Sequence, residues 1–160
     1  MPYPNTLVIG YGSPIRGDDA LGPLAAEALA AGPLPPGVSV ISRHILTADL
    51  VADLAASDRV IFIDASVAGE PGEIRVQPLT ADVSALSTMA HFLDPRELLA
   101  WCQALYQRQP QAYLVTATGE SFEYANYSLS PVATSALASL LAQVRELIAE
   151  TPALTVPYPA

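Results

Sequence analysis

Apolar residues recur along this chain with two different periods. Short runs rich in Val, Ile, Leu and Tyr at residues 6–10, 38–45, 59–64, 73–77 and 112–116 read as strands. Between them the period lengthens. Residues 19–31 carry Leu21, Leu24, Ala25, Ala28 and Leu29 at three-and-four spacing, and residues 47–56 carry Leu50, Val51 and Leu54 likewise. A third helix is predicted over 94–107, opened by Asp94 as N-cap and Pro95 at the first helical position, and a fourth over 131–150, opened by Ser130 and Pro131. Val132, Ala136, Leu140, Val144 and Leu147 form the apolar stripe of that last helix.

Strands alternating with helices predict a three-layer α/β/α sandwich around a mainly parallel, twisted sheet. The run at 73–77 follows the third strand too closely for a helical crossover, so it is expected to be an antiparallel edge strand. Residues 79–89 have weak periodicity and read as a loop leading to His91. Residues 151–160, with Pro152, Pro157 and Pro159, read as a tail after a single domain spanning 1–150.

Composition narrows the possible partners. With 160 residues, 51% of them hydrophobic and 14% charged, the chain can bury about two-thirds of its unfolded surface in one core. Seven basic residues against sixteen acidic ones give a net charge of −9, which leaves no basic stripe for nucleic acid or an anionic membrane. No uninterrupted apolar segment of membrane-spanning length and no leader pattern is read, and the single cysteine, Cys102, fits a reducing compartment. A cytoplasmic protein is expected. The oligomeric state is left open.

The candidate chemistry begins at residues 10–22, Gly-Tyr-Gly-Ser-Pro-Ile-Arg-Gly-Asp-Asp-Ala-Leu-Gly. A strand runs into a glycine-rich bend and two adjacent carboxylates, at the end of an α/β sheet where ligands bind. A dinucleotide fingerprint would need glycine at position 15, which is Ile15. Asp18 and Asp19 would also repel a pyrophosphate and welcome a cation. Asp64 ends the buried run Val60-Ile-Phe-Ile63, which carries its carboxylate to the mouth of the sheet beside the end of the first strand. Of the two histidines, His91 precedes the third helix, while His44 is assigned to surface or core more readily than to the cleft. Asp19, Asp64 and one imidazole would offer mixed oxygen and nitrogen donors with open positions, suited to a loosely held first-row divalent ion. Asp18 is read as a helix cap or a support behind the site. Cys102 lies in an apolar helical stretch and is read as structural rather than nucleophilic.

The run 10–22 resembles the amino-terminal signature of the nickel-iron hydrogenase maturation endopeptidases, and Ile61-Phe-Ile-Asp-Ala65 resembles their second acidic motif. Pro71-Gly-Glu-Ile-Arg75 is similar to the family's edge strand, Ser87-Thr-Met-Ala-His91 to its histidine loop, and Ser128-Leu-Ser-Pro131 to the start of its last helix. The resemblance implies that Asp19, Asp64 and His91 are both the metal-binding and the catalytic residues. It implies removal of a carboxy-terminal extension from a hydrogenase large-subunit precursor after nickel insertion. The nickel would be supplied by the substrate, with no permanent cofactor. Ser13 and Pro14 depart from the commoner asparagine and bulky residue, and Ser42-Arg-His-Ile-Leu-Thr47 replaces an aspartate-glycine segment of some relatives. Two other readings use the same residues: a non-catalytic nickel-binding maturation chaperone and, on the bend alone, a nucleotide-binding regulator.

Overall fold

The computed structural model describes residues 4–82 and 93–150; the segment containing His91 and the tail at 151–160 lie outside the described residues. Five strands form one sheet: β1 (Thr6–Tyr11), β2 (Val38–Arg43), β3 (Arg59–Ser66), β4 (Ile74–Leu79) and β5 (Gln111–Thr118), in the order β2-β1-β3-β5-β4. Every pairing is parallel except β4 with β5, so β4 is the antiparallel edge strand expected from its short connection.

The helices α1 (Leu21–Ala31), α2 (Leu50–Ala55), α3 (Pro95–Tyr106) and α4 (Pro131–Ala149) cover both faces. Alternation within the strands decides which side chain meets which layer. Val8, Ile61, Ile63 and Val115 pack with Leu21, Leu29, Leu140 and Val144 of α1 and α4. Leu7, Ile9, Val60 and Phe62 pack with Leu50, Leu54, Leu98 and Cys102 of α2 and α3. Burial pushes the Cys102 thiol up to about 11, in keeping with a structural role.

Both proline-opened helices begin where the sequence places them. The Asp94 side chain accepts from the Glu97 N–H at 2.9 Å, and the Ser130 hydroxyl accepts from the Ala133 N–H at 3.2 Å. Two predicted helices are shorter than their patterns. Residues 17–20 form a 3-10 turn ahead of α1, and α2 starts only at Leu50 because Thr47 to Asp49 close turns onto Leu50 and Val51. By length and composition α4 could cross a membrane, with a mean hydropathy of 1.3 over its best window, which the absence of an uninterrupted apolar run did not foresee. Its stripe from Ala133 to Leu147 is instead buried in the core.

A buried arginine fastens α4 at the amino end of the sheet. Arg59 donates to the carbonyls of Glu150 (2.8 Å) and Ile148 (2.9 Å) and to the Thr6 hydroxyl (3.1 Å). A cation at a helix C-terminus satisfies carbonyls that have no partner within the helix.

Candidate active site

The site lies at the carboxyl ends of β1 and β3, where the strand order reverses. Two glycines set how close the covering helix can come. A Cβ at Gly10 would lie 2.1 Å from the Gly22 carbonyl oxygen, and one at Gly22 would lie 2.3 Å from that of Tyr11 and 2.5 Å from that of Ile63. The start of α1 therefore rests directly on the strand ends, and the 3-10 turn before it brings Asp19 over the cleft. Gly12 completes the bend at φ 146°, with the Asp19 carbonyl against its Cα. The Ser13 N–H donates to Asp19 Oδ2 at 2.8 Å, which fixes that carboxylate to the bend.

Asp64 reaches the same place along β3. Gly10 pairs with Ile63, so Tyr11 and Asp64 are the next residues out on adjacent strands. The Tyr11 hydroxyl hydrogen-bonds the Asp64 carboxylate, and its ring meets Phe62 edge-on at 6.5 Å between centroids. Asp64 Oδ1 also accepts from the Ala65 N–H at 2.8 Å. Burial pushes the Asp64 carboxyl up to about 7; the hydrogen bonds from Tyr11 and Ala65 oppose this, while the negative charge of Asp19 adds to it. The Tyr11 hydroxyl is likewise driven upward, by burial first and then by Asp64, Asp94 and Asp19. Asp19, Asp64 and Asp94 thus all act electrostatically on one hydroxyl.

Asp18 departs from the helix-cap reading. No side chain caps the 3-10 turn or α1, and Asp18 is fully buried. Its Oδ2 accepts from Glu120 N–H (2.7 Å), Ser121 N–H (3.1 Å) and the Ser130 hydroxyl (2.7 Å), and its Oδ1 from Ser130 N–H (2.7 Å). Burial alone would raise this carboxyl, but these donors outweigh it and hold it below the usual carboxylate range. Neighbouring aspartates have thus taken separate duties. Asp18 ties the turn to the connection between β5 and α4, and Asp19 is left at the cleft.

His44 is exposed in the bend after β2, one of the two placements, surface or core, favoured for it over the cleft. His91 lies outside the described residues; among those described, no three His, Cys, Asp or Glu side chains form a metal-binding group. Tyr11 and Asp94 are the members of the site that sequence reasoning missed. Tyr11 stands inside the glycine-rich bend, one residue beyond Gly10, the last residue of β1 paired with β3, and its place at a strand end was the available signal. Asp94 was read only as a cap.

The chain matches the family model described as hydrogenase maturation protease, HycI, over residues 23–147. It belongs to that family. The protease is similar in structure to the hydrogenase maturating endopeptidase HybD from E. coli, at 25% identity and a TM-score of 0.75, with 90% of this chain and 91% of that one covered. It is also similar to the [NiFe] hydrogenase maturation protease HycI from Thermococcus kodakarensis KOD1, at 26% identity and a TM-score of 0.71, covering 91% and 93%. A third likeness is to the hydrogenase 2 maturation peptidase from Thaumarchaeota archaeon SCGC_AB-539-E09, at 25% identity and a TM-score of 0.70, covering 90% and 97%. No curated protein matches the chain. The protease is therefore a peptidase of hydrogenase maturation. In the bend the Asp19 carboxylate takes up the Ser13 N–H and places a negative charge where a nucleotide phosphate would approach, which disfavours a nucleotide-binding role.

Proposed function

We propose that this protease removes a carboxy-terminal extension from the precursor of a nickel-iron hydrogenase large subunit after nickel insertion, in the cytoplasm, with Asp19, Asp64 and His91 as the residues that act on it. The observation that carries this reading is that Asp19 and Asp64 stand together at the ends of β1 and β3 in a half-buried cleft, where the negative charge of Asp19 raises the cost of charge on Asp64. A divalent cation relieves that repulsion and accepts carboxylate oxygens readily. The cation belongs to the substrate: it arrives in the precursor, and the two aspartates with His91 complete its coordination and fix the scissile bond nearby. Water then adds to the carbonyl carbon, the C–N bond breaks, and the released amine leaves with a proton.

The support for His91 is its place in the histidine loop of the sequence, three residues before Asp94, whose charge acts on Tyr11. The test is mass spectrometry of the large-subunit precursor after incubation with the protease, with and without nickel. Truncation is expected only of the nickel-loaded precursor, and Asp19→Asn, Asp64→Asn and His91→Ala are each expected to lose it by 100-fold or more while melting no more than a few degrees below the wild type. A loaded precursor that stays intact with the wild-type protein overturns protease action on this substrate and leaves the nickel-holding chaperone as the reading.

A further inference from the structure

Among the described residues, the three most exposed large hydrophobic side chains are Val67 (81%), Tyr127 (77%) and Tyr124 (75%), the next being Leu105 at 56%. All three stand at the same end of the sheet. Val67 follows the last residue of β3, three positions after Asp64, and both tyrosines lie in the connection between β5 and α4.

These side chains ride on backbone that is stitched to the site. The Gly119 N–H donates to the Ser66 carbonyl (2.9 Å) and the Thr118 hydroxyl to the Ala68 carbonyl (2.7 Å), one on each side of Val67. Asn126, between the tyrosines, donates its N–H to the Ile15 carbonyl (3.0 Å) and accepts from the Gly17 N–H (2.9 Å), two residues before Asp19. The buried Asp18 carboxylate anchors both ends of the tyrosine connection, at Glu120 and Ser121 and again at Ser130. Ala125 sits at φ 61°, a left-handed conformation that an alanine holds only where its surroundings impose it. Exposed tyrosines on a fixed loop give up little further freedom on association, and aromatic side chains of this kind dominate the energetics of protein interfaces.

We propose that Val67, Tyr124 and Tyr127 form a docking surface for the folded body of the precursor, which meets them with an apolar patch beside its carboxy-terminal extension. This rests on the protease reading: a peptide bond held at Asp19 and Asp64 brings the protein that carries it against the two loops flanking those carboxylates. The surface is continuous with the site through hydrogen-bonded backbone, and an apolar contact suits a partner that must be held in one register and then released.

Steady-state cleavage of the nickel-loaded large-subunit precursor, followed by mass spectrometry, tests it. In Tyr124→Ala/Tyr127→Ala, KM for the precursor is expected to rise about tenfold, with kcat within twofold of wild type and an unchanged melting temperature. Tyr124→Phe/Tyr127→Phe, which keeps the rings, is expected to restore KM to within threefold, and Val67→Ser alone to raise KM by at least threefold. A KM that stays within threefold of wild type in the double alanine variant overturns the docking surface while leaving the protease reading intact. A wild-type protein that leaves the precursor uncut overturns both.

Discussion

Asp18 and Asp64 show how two carboxylates in one fold acquire opposite pH behaviour. The Asp18 carboxyl is held below its ordinary range by its donors, so its contribution to stability is present above about pH 4 and is lost as pH falls through the lower folded value. Asp18→Ala leaves the N–H groups of Glu120, Ser121 and Ser130 without this acceptor and is expected to cost about 3 kcal/mol in urea denaturation at pH 7. In the metal-free protein Asp64 runs the other way. Its folded pKa is pushed up to about 7, so the folded state binds the proton more tightly than the unfolded chain does. That stability is complete below the ordinary carboxylate pKa and is lost as pH rises through about 7. Asp64→Asn is expected to remove this slope and to be more stable than the metal-free wild type at pH 8 by on the order of 2 kcal/mol, with little difference at pH 4. Denaturation curves at the two pH values check it.

At the scale of elements, the contact between α1 and β1 makes the cleft possible. Gly22→Ala would press a methyl group onto the carbonyls of Tyr11 and Ile63 and is expected to cost about 2–4 kcal/mol, and to lower cleavage further than the loss of folded protein explains, because α1 must lift and carry Asp19 with it. Thermal melts alongside cleavage rates separate the two effects. The elements themselves were legible because each has its own period: Val60 to Ile63 is apolar on both faces, and Asp94-Pro95 and Ser130-Pro131 state where helices begin. The strand-end rule likewise indicated Asp19 and Asp64. What stayed hidden depends on distance along the chain. The donors to Asp18 lie 102 to 112 residues away, and nothing in a glycine announces which carbonyl it must accommodate. Ser130 was read as a cap, yet its hydroxyl also donates to Asp18, a duty that only the packed molecule reveals.

For the whole molecule, ownership of the metal decides what the protease does alone. Two aspartates and His91 without the precursor's own donors are expected to hold free Ni2+ weakly, at tens of micromolar or worse, so that millimolar Ni2+ raises the melting temperature by only a few degrees and Asp19→Asn abolishes the rise. Calorimetric titration and melting curves measure this; a submicromolar affinity would mark the ion as resident. The Arg59 clasp bears on how such experiments can be built. It joins the Glu150 carbonyl to the start of β3, where the Arg59 N–H also reaches the Asn5 carbonyl, so both of these positions lie at the pole opposite the carboxylates. A biotin or fluorophore attached beside either one would tether the enzyme to a sensor chip with its mouth turned outward, open to a bulky client arriving from solution.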